Sequence, residues 1–110
     1  MSLETIEATI EKSINPVTEI HDGRKVVTTA GTRVCLVNAS TPCLCAVITG
    51  ETDNTNPVTI GSATVVGALL TRQGIPLSAG QALVLEIDDL SKIYLDSITN
   101  GEGVTFIYLV

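Results

Sequence analysis

Aromatic residues are nearly missing from this chain, with one Phe, two Tyr and no Trp among 110 residues. A core without ring bulk must be built from Val, Ile, Leu and Ala, which favours thin, closely spaced layers over a roomy barrel that holds a ligand. Carbohydrate binding by stacking on exposed rings also lacks its platforms. Charge is scarce as well: 16% of residues are charged, below the usual quarter of a soluble domain. Six basic residues stand against twelve acidic ones, for a formal net charge of -6. That balance repels phosphate backbones, and with no Lys/Arg cluster no nucleic-acid partner is expected. His21 is the single histidine. It sits beside Asp22 in turn-like lettering, so the many Ser and Thr hydroxyls have no base and orienting group, and no catalytic residue is expected. Cys35, Cys43 and Cys45 are odd in number and form neither a CxxC nor a zinc spacing, which favours reduced thiols and no metal. No glycine-rich phosphate loop occurs, and no cofactor is expected. No apolar run approaches the ~20 residues that span a bilayer, so no membrane partner is expected. The opening MSLETIEATIEKS lacks a basic region followed by an apolar core, from which synthesis in the cytoplasm is expected.

What the chain does contain is period-two alternation. Leu83, Leu85 and Ile87, then Ile93 and Leu95, then Val104, Phe106, Tyr108 and Val110 step by two as half-buried strands require. Ser78-Ala79-Gly80, Asp88-Asp89 and Asn100-Gly101-Glu102-Gly103 stand between them as turns. This reads as a three-strand antiparallel meander whose last and most apolar strand lies centrally in its sheet. Upstream, Val17–Ile20 and Lys25–Thr29 read as short strands about a His21–Arg24 turn. Thr32–Asn38 and Cys43–Thr49 read as a hairpin with two apolar faces, Cys45 and Val47 on one side of the second strand and Ala46 and Ile48 on the other. Val58–Ile60 and Ala63–Val66 are short strands about Gly61-Ser62, and Gly67–Gly74 is a turn carrying Leu69, Leu70, Arg72 and Gln73. Seven to nine short strands with Gly/Pro/Asn punctuation indicate an all-β fold, a small antiparallel β-sandwich of the jelly-roll type. At this length it is one domain, residues 17–110, preceded by an N-terminal arm, residues 1–16. In that arm Leu3, Ile6 and Ile10 recur at helical spacing, while Thr5, Glu7 and Thr9 alternate as in a strand, and Asn15-Pro16 closes it.

Two acidic groups are the remaining candidates for chemistry. Glu51, Asp53, Asn54 and Asn56 offer oxygen ligands of the kind calcium prefers, but they lack the central Gly and closing Glu of a calcium loop and also suit Asx-turns. Asp88, Asp89 and Asp96 read as turn residues, since adjacent carboxylates on a strand face opposite sides. The core is expected to hold Val34, Leu36, Leu85 and Phe106. With so little charge and two-faced apolar strands, one thin domain leaves apolar area that a neighbouring copy must cover, so Val37, Cys45 and Val47, with Leu3, Ile6 and Ile10 of the arm, are the candidate contact residues.

NTNPVTIG at Asn54–Gly61 and GIPLSAGQALVLEIDDLSKIYLDSITNGEGVTFIYLV at Gly74–Val110 resemble small virion structural proteins of tailed bacteriophages. The shared phrases are Thr41-Pro42-Cys43, the Asn-rich turn with its Val/Ile-Gly step, Gly-Ile-Pro-Leu, the Asp-Leu-x-x-Ile-Tyr strand at Asp89–Tyr94, and the Gly-x-Gly-Val strand at Gly101–Phe106. They span about Thr28 to Val110; the Cys43-Leu44-Cys45 lettering and the longer Asn turn depart from the pattern. The resemblance implies a capsid decoration or cement protein located in the virion, binding the head surface as a homo-oligomer, with a trimer favoured. The partner would be the major capsid protein; the alternative is a tail or baseplate accessory protein acting as adaptor or host-surface binding module, with a tail protein as partner. It implies no enzyme activity and transfers no catalytic residue.

Overall fold

The computed structural model describes residues 17–110. The arm, with Leu3, Ile6 and Ile10, lies outside the described residues. Eight strands follow in order: β1 (Ile20–Val27), β2 (Val34–Cys35), β3 (Cys45–Gly50), β4 (Val58–Gly61), β5 (Ile75–Leu77), β6 (Ala82–Leu85), β7 (Tyr94–Ser97) and β8 (Glu102–Leu109). The first strand pairs with the last, the second with the seventh, the third with the sixth and the fourth with the fifth, all antiparallel. Pairing of β3 with β8 and of β4 with β7 joins this ribbon into two four-stranded sheets, β1-β8-β3-β6 (sheet A) and β2-β7-β4-β5 (sheet B). Val27, Ala46, Ile48, Val104 and Phe106 of sheet A meet Val58, Ile60, Leu77 and Leu95 of sheet B in one buried cluster, which Leu36, Cys43, Leu90 and Ile93 complete. Val34, Val37 and Leu85 pack against it half-buried.

Long-range pairing redraws the connectivity that local lettering implies. The three C-terminal runs are not a meander: β6 and β8 belong to sheet A and β7 to sheet B. Asp89 does not begin a strand but caps a 3-10 helix, Leu90–Lys92, that carries the chain from one sheet to the other. The expected hairpin is also absent, because β2 and β3 lie in different sheets. Alternation fixes which face is apolar and is silent about which strand lies alongside. β3 begins only at Cys45, and Cys43 before it turns inward, its N–H donating to Asp88 O, while Leu44 is exposed. Ala63–Val66 is not a strand, whereas Ile75-Pro76-Leu77 is; Pro76, with no N–H to donate, sits on the edge strand of sheet B where its lack is tolerated.

The largest revision concerns β1, which runs unbroken through His21-Asp22-Gly23-Arg24. Its register with β8 places Gly23 opposite Phe106. A Cβ on Gly23 would stand 2.4 Å from Phe106 Cζ, so the ring of the single Phe occupies the space that the missing side chain leaves. The glycine marks an aromatic covering a bare strand position rather than a turn. His21 and Tyr108 continue the stack, with centroids 5.1 Å apart, and Tyr108 lies 6.3 Å from Phe106. The charged lettering of the same stretch protects an eight-residue edge strand from adding further strands.

Phe106→Ala is expected to cost about 3–5 kcal/mol. Gly23→Ala, which an ordinary strand would welcome, is expected to destabilise by about 1–3 kcal/mol because it drives a methyl into the ring. In a Phe106→Ala background the same change becomes neutral or favourable. Urea unfolding of the two single variants and the double variant measures this coupling, and additive effects would contradict the contact.

Candidate functional site

Registers in sheet A define its outer face row by row. Ile20, Leu109 and Cys45 form one cross-strand row; Asp22, Ile107, Val47 and Val84 the next; Arg24, Thr105, Thr49 and Ala82 the third. Directly opposed side chains on one face are within contact distance of one another, so the rows grade from apolar at the Ile20 end to polar at the Arg24 end. Ile20 and Val84 are more than 60% exposed and Ile107 is 41% exposed. A depression of about 560 Å³ crosses the second and third rows, with Val47, Ile107, Thr49 and Thr105 in its floor and Asp22 and Arg24 on its rim. Of the expected contact residues, Cys45 and Val47 stand on this face, while Val37 follows β2 and packs half-buried against the core. Of the expected core residues, Leu36 and Phe106 are buried and Val34 and Leu85 half-buried.

The polar end of the face is anchored by Arg24 and Glu51. The guanidinium donates through Nε and Nη2 to the two carboxylate oxygens, the planar fork geometry that suits Arg to carboxylates. The pair lowers the Glu51 carboxyl below its ordinary value and raises the Arg24 guanidinium, in each case chiefly through the hydrogen bond. Glu51 is therefore not open to a cation. Asn54 is occupied too: its Oδ1 accepts from Gly103 N at 3.0 Å and its Nδ2 donates to Gly103 O at 2.8 Å. Asn56 Nδ2 donates to Thr99 Oγ1, and the Thr55 N–H and hydroxyl donate to the buried Glu102 carboxylate. These side chains stitch the Gly50–Pro57 loop to the start of β8 and hold the rim of the depression in place.

The outer face of sheet B is covered from within. Residues 62–74 fold back across β4 and β7, placing Val65 in a buried position over the sheet. Gly67 lies so close to β7 that a Cβ would stand 3.0 Å from Ser97 N, and its own N–H donates to Asp96 Oδ2 at 2.9 Å. Asp96 is buried and its second oxygen accepts from Ser97 N, so this carboxylate clamps the strap. Gly74 has φ +120 and closes against Ile60 O, a backbone state and an approach that only glycine allows. The strap ends in a tight turn: Val66 and Gln73 exchange backbone hydrogen bonds of 3.1 and 3.0 Å, and Thr71 N donates to Ala68 O. At its tip Leu69 is 68% exposed and Leu70 fully exposed. These two leucines were legible only as a turn, because nothing local shows that the segment on either side of them lies flat on a sheet.

Asp89 fixes the crossing between sheets. Its carboxylate accepts from Ser40 Oγ at 2.6 Å, Thr41 N at 2.8 Å, Ser91 N at 2.9 Å and Ser91 Oγ at 2.8 Å. Asp88 instead pairs with Lys92 at 2.7 Å. His21 stands in β1, hydrogen-bonded to Glu19 at 2.7 Å and stacked on Tyr108, not in a turn. Among the described residues no group of three His, Cys, Asp or Glu side chains is placed to hold a metal ion, and the cysteines are free thiols. Cys43 is raised above the ordinary thiol value, first by burial and then by nearby negative charge. No helix among them is long and apolar enough to cross a membrane. Compared with known proteins, the chain matches no family model, no curated protein and no solved structure.

The hydrogen bond from Ser40, then those from Thr41 and Ser91, hold the Asp89 carboxyl well below the usual carboxylate range. A carboxylate lowered in the folded state stabilises the fold above its unfolded pKa of about 3.9. That contribution is lost as pH falls toward the folded value. Asp89→Asn is therefore expected to lower the urea midpoint at neutral pH and to flatten its decline between about pH 5 and pH 2 relative to wild type. The remaining slope would belong to Glu51 and Asp88, both also lowered by their ion pairs. Parallel acid limbs for the two proteins would contradict this role.

Proposed function

We propose that this protein is a structural component of a tailed-phage virion, a decoration or cement protein that binds the head surface as a homo-oligomer, with a trimer favoured, and that its fold is a jelly-roll β-sandwich. The strand order supports the fold reading: two sheets ordered β1-β8-β3-β6 and β2-β7-β4-β5 are what results when a long antiparallel ribbon, first strand against last, wraps into two Greek keys. Capsid proteins, lectins and cupins share that architecture, so the fold alone selects none of them. The lettering at Asn54–Gly61 and Gly74–Val110 that resembles phage virion proteins falls on β4 and on β5 through β8, the strands that carry the ribbon back on itself.

The observation that carries the reading is the apolar outer face of sheet A, rigidly backed by the core and edged by a single anchored ion pair. A face holding Ile20, Ile107, Val47 and Val84 in adjacent rows fits assembly with protein neighbours. Among the described residues four carboxylates hold the fold: Asp89 caps, Asp96 clamps, and Glu51 and Glu102 tie down a loop. The major capsid protein is the proposed partner, and the arm at residues 1–16 the proposed attachment segment.

Particles purified with and without the protein locate it: lost density on the head supports decoration, and lost density on the tail or baseplate moves the protein to the accessory role. Deleting residues 1–16 is expected to leave the urea midpoint of the domain within error and to abolish retention on particles. A truncated protein that stays folded and binds particles as tightly as the full chain would remove the attachment mechanism.

A further inference from the structure

We infer that copies of this chain associate head to tail, the Leu69-Leu70 tip of one copy seating in the sheet-A depression of the next, with Arg72 of the first against Asp22 of the second. The inference rests on the self-association proposed above and assigns its two surfaces. On one side is a projecting apolar pair, Leu70 fully exposed, in a turn closed by three backbone hydrogen bonds and fixed to the domain through Gly67 and Asp96. Its shape is thus set before any contact, which reduces the entropy lost on docking. On the other side is a depression of about 560 Å³ floored by Val47 and Ile107, with Val84 exposed beside it.

Charge selects the orientation. Among the described residues Asp22, on the rim, makes no ion pair, and neither does Arg72, two residues beyond the tip and half-buried. The other rim charge, Arg24, is already neutralised by Glu51. A neighbour's guanidinium at Asp22 gives both charges a partner at once, and opposed charges fix register more than they add affinity. The two surfaces lie on opposite sheets, so the contact is heterologous; it closes into a ring where the rotation between copies allows and extends as a filament where it does not.

The test follows from that asymmetry. Leu70→Asp alters only an exposed tip, and Ile107→Asp only the outer face, so each is expected to stay folded by circular dichroism and to sediment as a monomer where wild type is oligomeric, with the association constant lowered at least about 100-fold. An equimolar mixture of the two is expected to form a heterodimer and stop there, because one intact tip meets one intact depression. Asp22→Arg and Arg72→Asp are each expected to weaken association about tenfold or more, and the chain carrying both to recover it. Should Ile107→Asp unfold, Val84→Asp takes its place in the mixture. Wild type that is monomeric at all accessible concentrations, Leu70→Asp that remains oligomeric, or a mixture that stays monomeric overturns the contact. Retention of the wild-type chain on particles is read separately, so a failed contact and a failed virion assignment are distinguishable.

Discussion

Everything in this molecule hangs on the pairing of its first described strand with its last, and that pairing is locked where the ring of Phe106 lies over Gly23. β8 is central in sheet A and holds β1 on one side and β3 on the other; misplacing it by one residue would exchange Val104, Phe106 and Tyr108 with Thr105, Ile107 and Leu109 and expose the core. Phe106 lies over the bare strand position Gly23 and pins that register there, with the Tyr108 ring stacked on His21 in the next cross-strand pair but one. Once β1 and β8 are joined, each inner pair of the ribbon has a fixed partner, and the two sheets follow from the order in which the pairs are laid down.

The loops are held by short polar side chains rather than by apolar packing, as a core poor in aromatic bulk requires. Asn54 mimics a strand neighbour to Gly103, Glu102 gathers the backbone and hydroxyl of Thr55, and Asp89 gathers Ser40, Thr41 and Ser91. Apart from the local contact between Asp89 and Ser91, each of these joins segments more than forty residues apart in the chain. They therefore act as closures of the ribbon and not merely as turn formers.

The inward face of β8 was legible, since alternation sets Val104 and Phe106 apart as the buried positions, whereas in β3 both faces are apolar and burial of Ala46 and Ile48 is decided by the pairing. The all-β class and the existence of two antiparallel sheets followed from the same period. Partners were not legible. β7 reads like a neighbour of β6 and β8 because it lies between them in sequence, yet it pairs with β2 and β4, a choice made, for β2, by contacts with Val34 and Cys35 far back in the chain. Gly23 misled for a related reason: among Asp and Arg a glycine indicates positive φ, and only the ring across the sheet reveals that the position needs an absent side chain. The apolar face with Cys45 and Val47 was visible as excess hydrophobicity, whereas its depression and the opposing leucine tip depend on register and on a strap that no local pattern announces.

The two sheets solve the same problem differently, and the difference bears on assembly. Thr59 and Asp96 on the outer side of sheet B are buried because residues 62–74 cross them, with two glycines permitting the approach and one carboxylate fixing it. Sheet A has no such cover among the described residues, and its outer rows are the more apolar of the two. A strap that served only to protect sheet B would be expected to end in polar residues, as the Gly50–Pro57 loop does; this one ends in two leucines held out from the domain. The segment that closes one face is thereby shaped as the piece that would close the other, provided that the other belongs to a neighbour. A chain with few charges, one covered sheet and one open one has a reason to be stable alone and a reason not to remain so.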